Sequence, residues 1–218
     1  MANSTAQLTV LITGASSGIG RELASGYLQQ GAKVFVLARS LDQLMQLVER
    51  YPSTCVALKV DLTNQQACEN AGKIISAQTA HLDIAILNAG TCEYIDVADF
   101  SIAPFDKVMA INWRGTLNSL QFCLPLLRQR KGAQLVGVSS MATLLPMPRA
   151  QAYGASKAAL EYLLNSLRVD LEKDSIDISI VRPGFVRTPL TARNDFAMPF
   201  MIESDIAARK IMQGIKQR

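Results

Sequence analysis

Short runs of Val, Ile and Leu alternate along the chain with longer stretches whose apolar residues recur at helical spacing. The short runs are residues 8–12, 33–38, 54–60, 82–87, 134–139 and 176–181. None shows strong period-two alternation, which marks strands buried on both faces, as in a parallel sheet covered by helices. Between them, residues 19–30, 40–50, 64–79, 105–130 and 152–173 are predicted helices. The first follows a group of glycines and stops at Gly31, while Asp61 and Thr63 lead into the third. Crossovers of this length between parallel strands predict a doubly wound α/β fold, whose ligands sit beyond the C-terminal ends of the strands.

The pattern breaks after Pro183. Residues 183–202 carry prolines, phenylalanines and methionines without periodicity and read as a mobile, partly apolar loop; residues 203–217 read as a terminal helix. With 218 residues, no internal repeat and no linker, residues 1–218 are read as a single domain.

Composition narrows the picture in a few places. Aromatic residues make up only 6% of the chain, so the core must rest on aliphatic side chains. The net charge of +4 is mild and scattered; with no continuous basic stripe, a nucleic-acid partner is disfavoured. Cys55, Cys68, Cys92 and Cys123 form no CxxC pair, and His81, expected in solvent ahead of a strand, is the only histidine. Neither a metal site nor a disulfide framework is therefore expected. The opening residues, Met1 to Gln7, lack the basic side chains of a signal peptide, and the longest uncharged run, 132–148, is too rich in glycine, serine and proline for a membrane span. A reduced, cytoplasmic setting is the expectation.

The first candidate chemistry lies between the first strand and the first helix. Gly14, Ser16, Ser17, Gly18, Ile19 and Gly20 form a glycine-rich turn with the spacing Gly14, Gly18, Gly20 rather than GxGxxG. Glycines permit the tight turn and a close approach of backbone to phosphate, and a helix N-terminus favours a pyrophosphate. A nicotinamide dinucleotide is the predicted ligand. At the end of the second strand, an acidic residue would bind the free ribose hydroxyls of NAD. Here Ala38 offers no carboxylate and Arg39 presents a donor fork suited to a 2′-phosphate, so NADP(H) is expected over NAD(H).

Tyr153 and Lys157, four apart at the start of a predicted helix, share a face. A neighbouring ammonium would favour the phenolate and bring the tyrosine toward a useful acid–base range. Ser139 and Ser140 end the preceding strand on the same rim as the glycine turn, where a hydroxyl can polarise a carbonyl.

These residues, together with Asp61-Leu62, Asn88-Ala89-Gly90, Asn112 and Pro183-Gly184 with Thr188, resemble the short-chain dehydrogenase/reductase family over nearly the whole chain. The resemblance implies a Rossmann fold and hydride transfer between a nicotinamide and a carbonyl or carbinol carbon. It makes Tyr153 the acid in reduction and the base in oxidation, and Ser140, thirteen residues earlier, the group orienting the substrate. Lys157 would hold the nicotinamide ribose, and Asn112 would support Lys157 through an ordered water and a local break in its helix. Asp61 and Leu62 would lie at the adenine, Asn88–Gly90 would shape the cleft, and the segment with Pro183, Gly184, Val186 and Thr188 would receive the carboxamide. Three residues between tyrosine and lysine favour C=O/CH–OH chemistry over C=C reduction. Family members usually add a strand after the terminal helix, so the sheet is expected to lack its customary last strand.

The apolar runs after Ser140 and around Phe196–Met201 imply a hydrophobic ketone, aldehyde or secondary alcohol as substrate, and the two long helices imply a homodimer or homotetramer. An NAD-dependent alcohol dehydrogenase and a non-catalytic NADP(H)-binding regulator stay open as alternatives.

Overall fold

The structure, a computed structural model, describes residues 7–217. The residues 1–6 on which the signal-peptide expectation largely rests lie outside it.

Six parallel strands form one sheet in the order β3-β2-β1-β4-β5-β6. They are β1 (Thr9–Thr13), β2 (Lys33–Ala38), β3 (Cys55–Lys59), β4 (Ile84–Leu87), β5 (Ala133–Val138) and β6 (Ile176–Val181). All six predicted runs are strands; 33–38 and 176–181 keep their ends, and the ends of the others move by at most two residues. Helices α1 (Gly18–Gln29), α2 (Leu41–Arg50) and α3 (Gln65–Ser76) follow the first three strands. Strand order reverses between β1 and β4, so the crossovers leave a crevice above their C-terminal ends.

Side chains of each strand alternate between two cores. Leu11, Phe35 and Leu37 pack with α3 and its neighbours on one face, while Val10, Ile12, Val34 and Val36 pack with α1 and α2 on the other. Both faces are apolar because both are covered, which is why no period-two pattern was legible.

The predicted helix over 105–130 is three segments: α4 (Ala103–Met109), a π-helical turn (Ala110–Arg114) and α5 (Gly115–Leu127). Apolar spacing runs on through the turn, so the widened loop is invisible in the pattern; it is the local break expected at Asn112. Helix α6 (Gln151–Asp170) ends three residues before the expected boundary, in a tight 3₁₀ turn. The segment 183–202 is not structureless. It contains a two-stranded parallel ribbon of β7 (Val186–Arg187) and β8 (Ile202–Glu203), before the terminal α7 (Ser204–Gln217) packs beside α1. Among the described residues, no helix is long and apolar enough to cross a membrane. His81 is half-buried rather than solvent-facing, its Nε2 3.6 Å from Asp83.

Candidate active site

The glycine turn is shaped by what it touches. Gly14 has φ +67°, and a Cβ there would come within 2.8 Å of the Ala89 Cα; Gly18, at φ +54°, would collide with Thr188 Cγ2 at 2.9 Å. Both positions therefore need glycine for backbone and for space. Thr13, the last residue of β1, ties the turn to β4: its Oγ1 accepts from the amides of Asn88 (3.0 Å) and Ala89 (3.1 Å). Ser17 caps α1 without using its side chain, which leaves the first-turn amides facing the cleft.

A cleft of about 320 Å³ runs across the sheet from this turn. Its walls contain Ser16, Ile19, Asp61, Leu62, Gly90 and Gly184, and in all every predicted site residue except Gly20 and Asn112. Those two act from behind it. Gly20 packs against Gly14 and Asn88, and Asn112 is buried at 1% exposure. At the end of the cleft above β2 and β3, Asp61 is engaged by the backbone and hydroxyl of Thr63, which hold its carboxyl below the usual value. Arg39 is exposed there and makes no hydrogen bond or ion pair among the described residues. A cradle that excludes side chains and a helix N-terminus without a side-chain cap fit a nicotinamide dinucleotide.

At the opposite end stand Ser140, Tyr153 and Lys157. The N-terminal turns of α6 carry the last two, and Ser140 leaves β5 in extended conformation. Burial raises the Tyr153 phenol above its ordinary value, with a hydrogen bond from Ser140 opposing and the Cys92 sulfur adding to the rise. The expected lowering by Lys157 is absent. Its Nζ donates to the Val138 carbonyl at 2.7 Å and lies 5.8 Å from the Tyr153 ring centre. Burial pushes Lys157 down to about 8, so it still carries its charge at neutral pH.

Asn112 makes no direct bond to Lys157. Its Oδ1 accepts from the Thr91 amide at 2.7 Å, and its Nδ2 donates to the Thr91 carbonyl and to Ser156 Oγ, each at 2.9 Å. Gly90 packs between the two, where a Cβ would sit 3.3 Å from Lys157 Nζ and 3.4 Å from Asn112 Oδ1. Sequence reasoning gave no role to Thr91 or Ser156, whose backbone and hydroxyl groups fix Asn112, because a lone threonine or serine carries no spacing signal; Thr13 opens the recognised turn, but its hydroxyl's work was not foreseen.

A second cavity, of about 230 Å³, meets the cleft at Ser140 and Tyr153. It is lined by Met141, Leu145, Met147, Phe185, Leu190 and Phe196 among others, and two ion pairs join residues that neighbour its walls in the chain. Arg193 bonds Glu93 at 3.0 Å, and Arg149 bonds Asp195 at 3.0 Å while lying over the Tyr94 ring. Among the described residues, no group of three or more His, Cys, Asp or Glu side chains could hold a metal ion.

A dinucleotide cleft meeting a tyrosine, a serine and a lysine at the entrance to an apolar chamber defines an NAD(P)(H)-dependent oxidoreductase of CH–OH/C=O groups. Residues 8–197 match the family model described as short chain dehydrogenase, and the chain belongs to that family. An uncharacterized oxidoreductase of Myxococcus xanthus is 36% identical over 213 residues, which span 95% of this chain and 83% of that one. The rhamnolipids biosynthesis 3-oxoacyl-acyl-carrier-protein reductase of Pseudomonas aeruginosa is 31% identical, over 91% of this chain and 80% of its own. The solved Pseudomonas aeruginosa RhlG/NADP active-site complex superposes with a TM-score of 0.79 at 32% identity, covering 87% of this chain and 77% of the other.

Proposed function

We propose that the protein transfers hydride between NADP(H) and a medium-sized hydrophobic ketone, aldehyde or secondary alcohol. The observation that carries this is the placement of Ser140 and Tyr153 on the wall shared by the dinucleotide cleft and the apolar chamber. The similarity to a 3-oxoacyl reductase, whose named substrate is a ketone on an acyl chain, supports it.

The nicotinamide, when bound, supplies or accepts the hydride at its C4. In reduction, Ser140 donates a hydrogen bond to the substrate oxygen and Tyr153 gives that oxygen its proton as the carbon receives the hydride. The carbonyl becomes a carbinol, and Tyr153 is left as phenolate until solvent protons restore it. Lys157, freed from the Val138 carbonyl, would hold the ribose hydroxyls, with Asn112 behind it. The first turn of α1 would bind the pyrophosphate, Asp61 and Leu62 the adenine, and Gly184, Val186 and Thr188 the carboxamide. Arg39 would pair with the 2′-phosphate, which favours NADP(H) over NAD(H). The segment 183–202 closes the substrate side.

Burial selects the substrate at about 0.8 kcal/mol per methylene removed from water. Values of kcat/KM for a series of ketones with lengthening alkyl chains, assayed with NADPH and NADH separately, should rise until the chamber is full. A flat series, with good activity on a small charged carbonyl acid, overturns the hydrophobic pocket.

A second copy is the expected partner. Tyr162 and Val169 are 81% and 73% exposed on the outer face of α6, an unusual place for such side chains. A purely 23.7 kDa species in sedimentation at micromolar concentration would remove the dimer. Four free, buried cysteines suit a reducing, cytoplasmic setting, testable by fractionation.

A further inference from the structure

Two turns along α6 from Tyr153, and one beyond Lys157, Glu161 points its carboxylate into the protein at 9% exposure. Three segments converge on it. Oε1 accepts from Ser139 Oγ at 2.6 Å and lies 2.9 Å from Thr143 Oγ1, while Arg182 closes a fork through Nε to Oε1 (2.9 Å) and Nη2 to Oε2 (2.8 Å). Burial opposes ionisation, yet the donors Arg182, Ser139 and Thr143 together hold the carboxyl below its ordinary value. Neither Glu161 nor Arg182 lines the dinucleotide cleft or the apolar chamber.

What these partners adjoin gives the cluster its meaning. Ser139 precedes Ser140, Thr143 ends the turn that follows it, and Arg182 precedes Pro183 and Gly184. The Met141 amide bonds the Pro183 carbonyl at 3.0 Å, so the serine turn and the segment after β6 are also joined directly. Glu161 is buried but Arg182 is exposed, and an ion pair with one partner in water contributes little to stability. It is a good source of geometry, since a bidentate fork fixes distance and angle together. Ser139 and Ser140 thus divide their work: one hydroxyl is committed to Glu161 and the other faces the cleft.

We propose that Glu161, clasped by Arg182, is a positioning residue that sets Ser140, the Tyr153 helix and the turn at Pro183–Gly184 in register for hydride and proton transfer. This rests on the reading of Ser140 and Tyr153 as the reacting pair. Glutamine at position 161 breaks the fork whichever way its amide is turned, because Arg182 donates to both oxygens and an amide nitrogen at either place meets one of its N–H groups.

The test compares Glu161→Gln, Arg182→Lys, Arg182→Gln and the Glu161→Gln/Arg182→Gln double variant with the parent, using NADPH and a medium-chain methyl ketone. Turnover at saturation should fall at least tenfold in Glu161→Gln, with KM for the ketone changed less than threefold. The primary isotope effect from deuterated NADPH should grow, because a misaligned hydride step becomes rate-limiting. The double variant should be no slower than the slower of its two singles, since both break one clasp. Should Glu161→Gln fail to fold, Arg182→Lys, which keeps the charge and loses the fork, carries the same readings. A lowered melting temperature with kcat and isotope effect unchanged overturns the role, as do additive losses in the double variant. Tyr153→Phe in the same assay separates the two layers: if it is inactive while Glu161→Gln keeps its rate, only the positioning role fails. If Tyr153→Phe is fully active, the assignment of the reacting pair fails and the positioning role falls with it.

Discussion

The Asn88 side-chain amide fills the space that a Cβ on Gly20 would need. From there its Nδ2 donates to the carbonyls of Thr13 (3.0 Å) and Gly14 (3.2 Å), locking the end of β4 onto the glycine turn. A methyl group at position 20 would meet the Gly14 carbonyl as well, and a backbone atom cannot swing aside. Gly20→Ala should therefore weaken NADPH and NADH alike, by at least tenfold, in titrations followed by nicotinamide fluorescence. Unaltered affinity for both would show that the turn does not seat the pyrophosphate.

Arg39 should separate the two cofactors. Losing a charged, hydrogen-bonded partner for the 2′-phosphate costs about 1–3 kcal/mol, so Arg39→Ala is expected to bind NADPH about five- to 150-fold more weakly. NADH binding should hardly change. An equal loss for both, or a parent that prefers NADH, contradicts the assignment.

On the proposed mechanism, replacing Tyr153 by Phe removes the proton donor and keeps a half-buried ring between cleft and chamber. Turnover is expected to fall by about 10²–10⁴-fold, the usual worth of a general acid, while NADPH binding stays near the parent value. Single-turnover rates, in which chemistry alone is read, are the measurement. The raised Tyr153 phenol also has a sign: reduction needs the protonated form, so its rate should stay level through neutral pH and fall only above about pH 10. Oxidation, which needs the phenolate, should instead quicken as pH rises.

Lys157 carries a stability cost that pH can lift. Burial lowers it from 10.5 to about 8, so below pH 8 the folded state must hold a charge it disfavours. Between the two values the unfolded chain binds more protons, and stability rises with pH by roughly 2–3 kcal/mol. Urea titrations of the cofactor-free protein at pH 7.5 and 10 should show this gain relative to Lys157→Met. A variant that keeps the same pH slope as the parent would locate the effect elsewhere.

Legibility in the sequence divided along physical lines. Strands were plain, because a segment buried on both faces is written as an unbroken aliphatic run, as in Val10–Ile12 and Val34–Leu37. The glycine turn, Arg39, Ser140, Tyr153 and Lys157 were legible from residue type, order and resemblance, and the structure gathers them along one cleft. The π-helical turn was not, because five residues of altered hydrogen bonding leave apolar spacing unchanged. The ribbon pairing Val186 with Ile202 was missed because two-residue strands have no period. The Tyr153 shift went the other way because the sequence shows proximity to Lys157 but neither the burial of both groups nor the rival acceptor at Val138. Glu161 and Arg182, 21 residues apart, meet only through the packing of α6 on the sheet.

The apolar chamber is furnished mainly by turns and by the segment after β6, whereas the cleft beside it is built on residues fixed at strand ends. Met141, Leu145 and Phe196 project from connections that contribute nothing to the parallel ladder, while Thr13, Ala38 and Val138 belong to it. Substitutions in the chamber can therefore accumulate at little risk to folding, and those beneath the cofactor cannot. Such a molecule is built to inherit its redox partner and to change its diet: over many generations, new substrates can be tried on a chassis that keeps running.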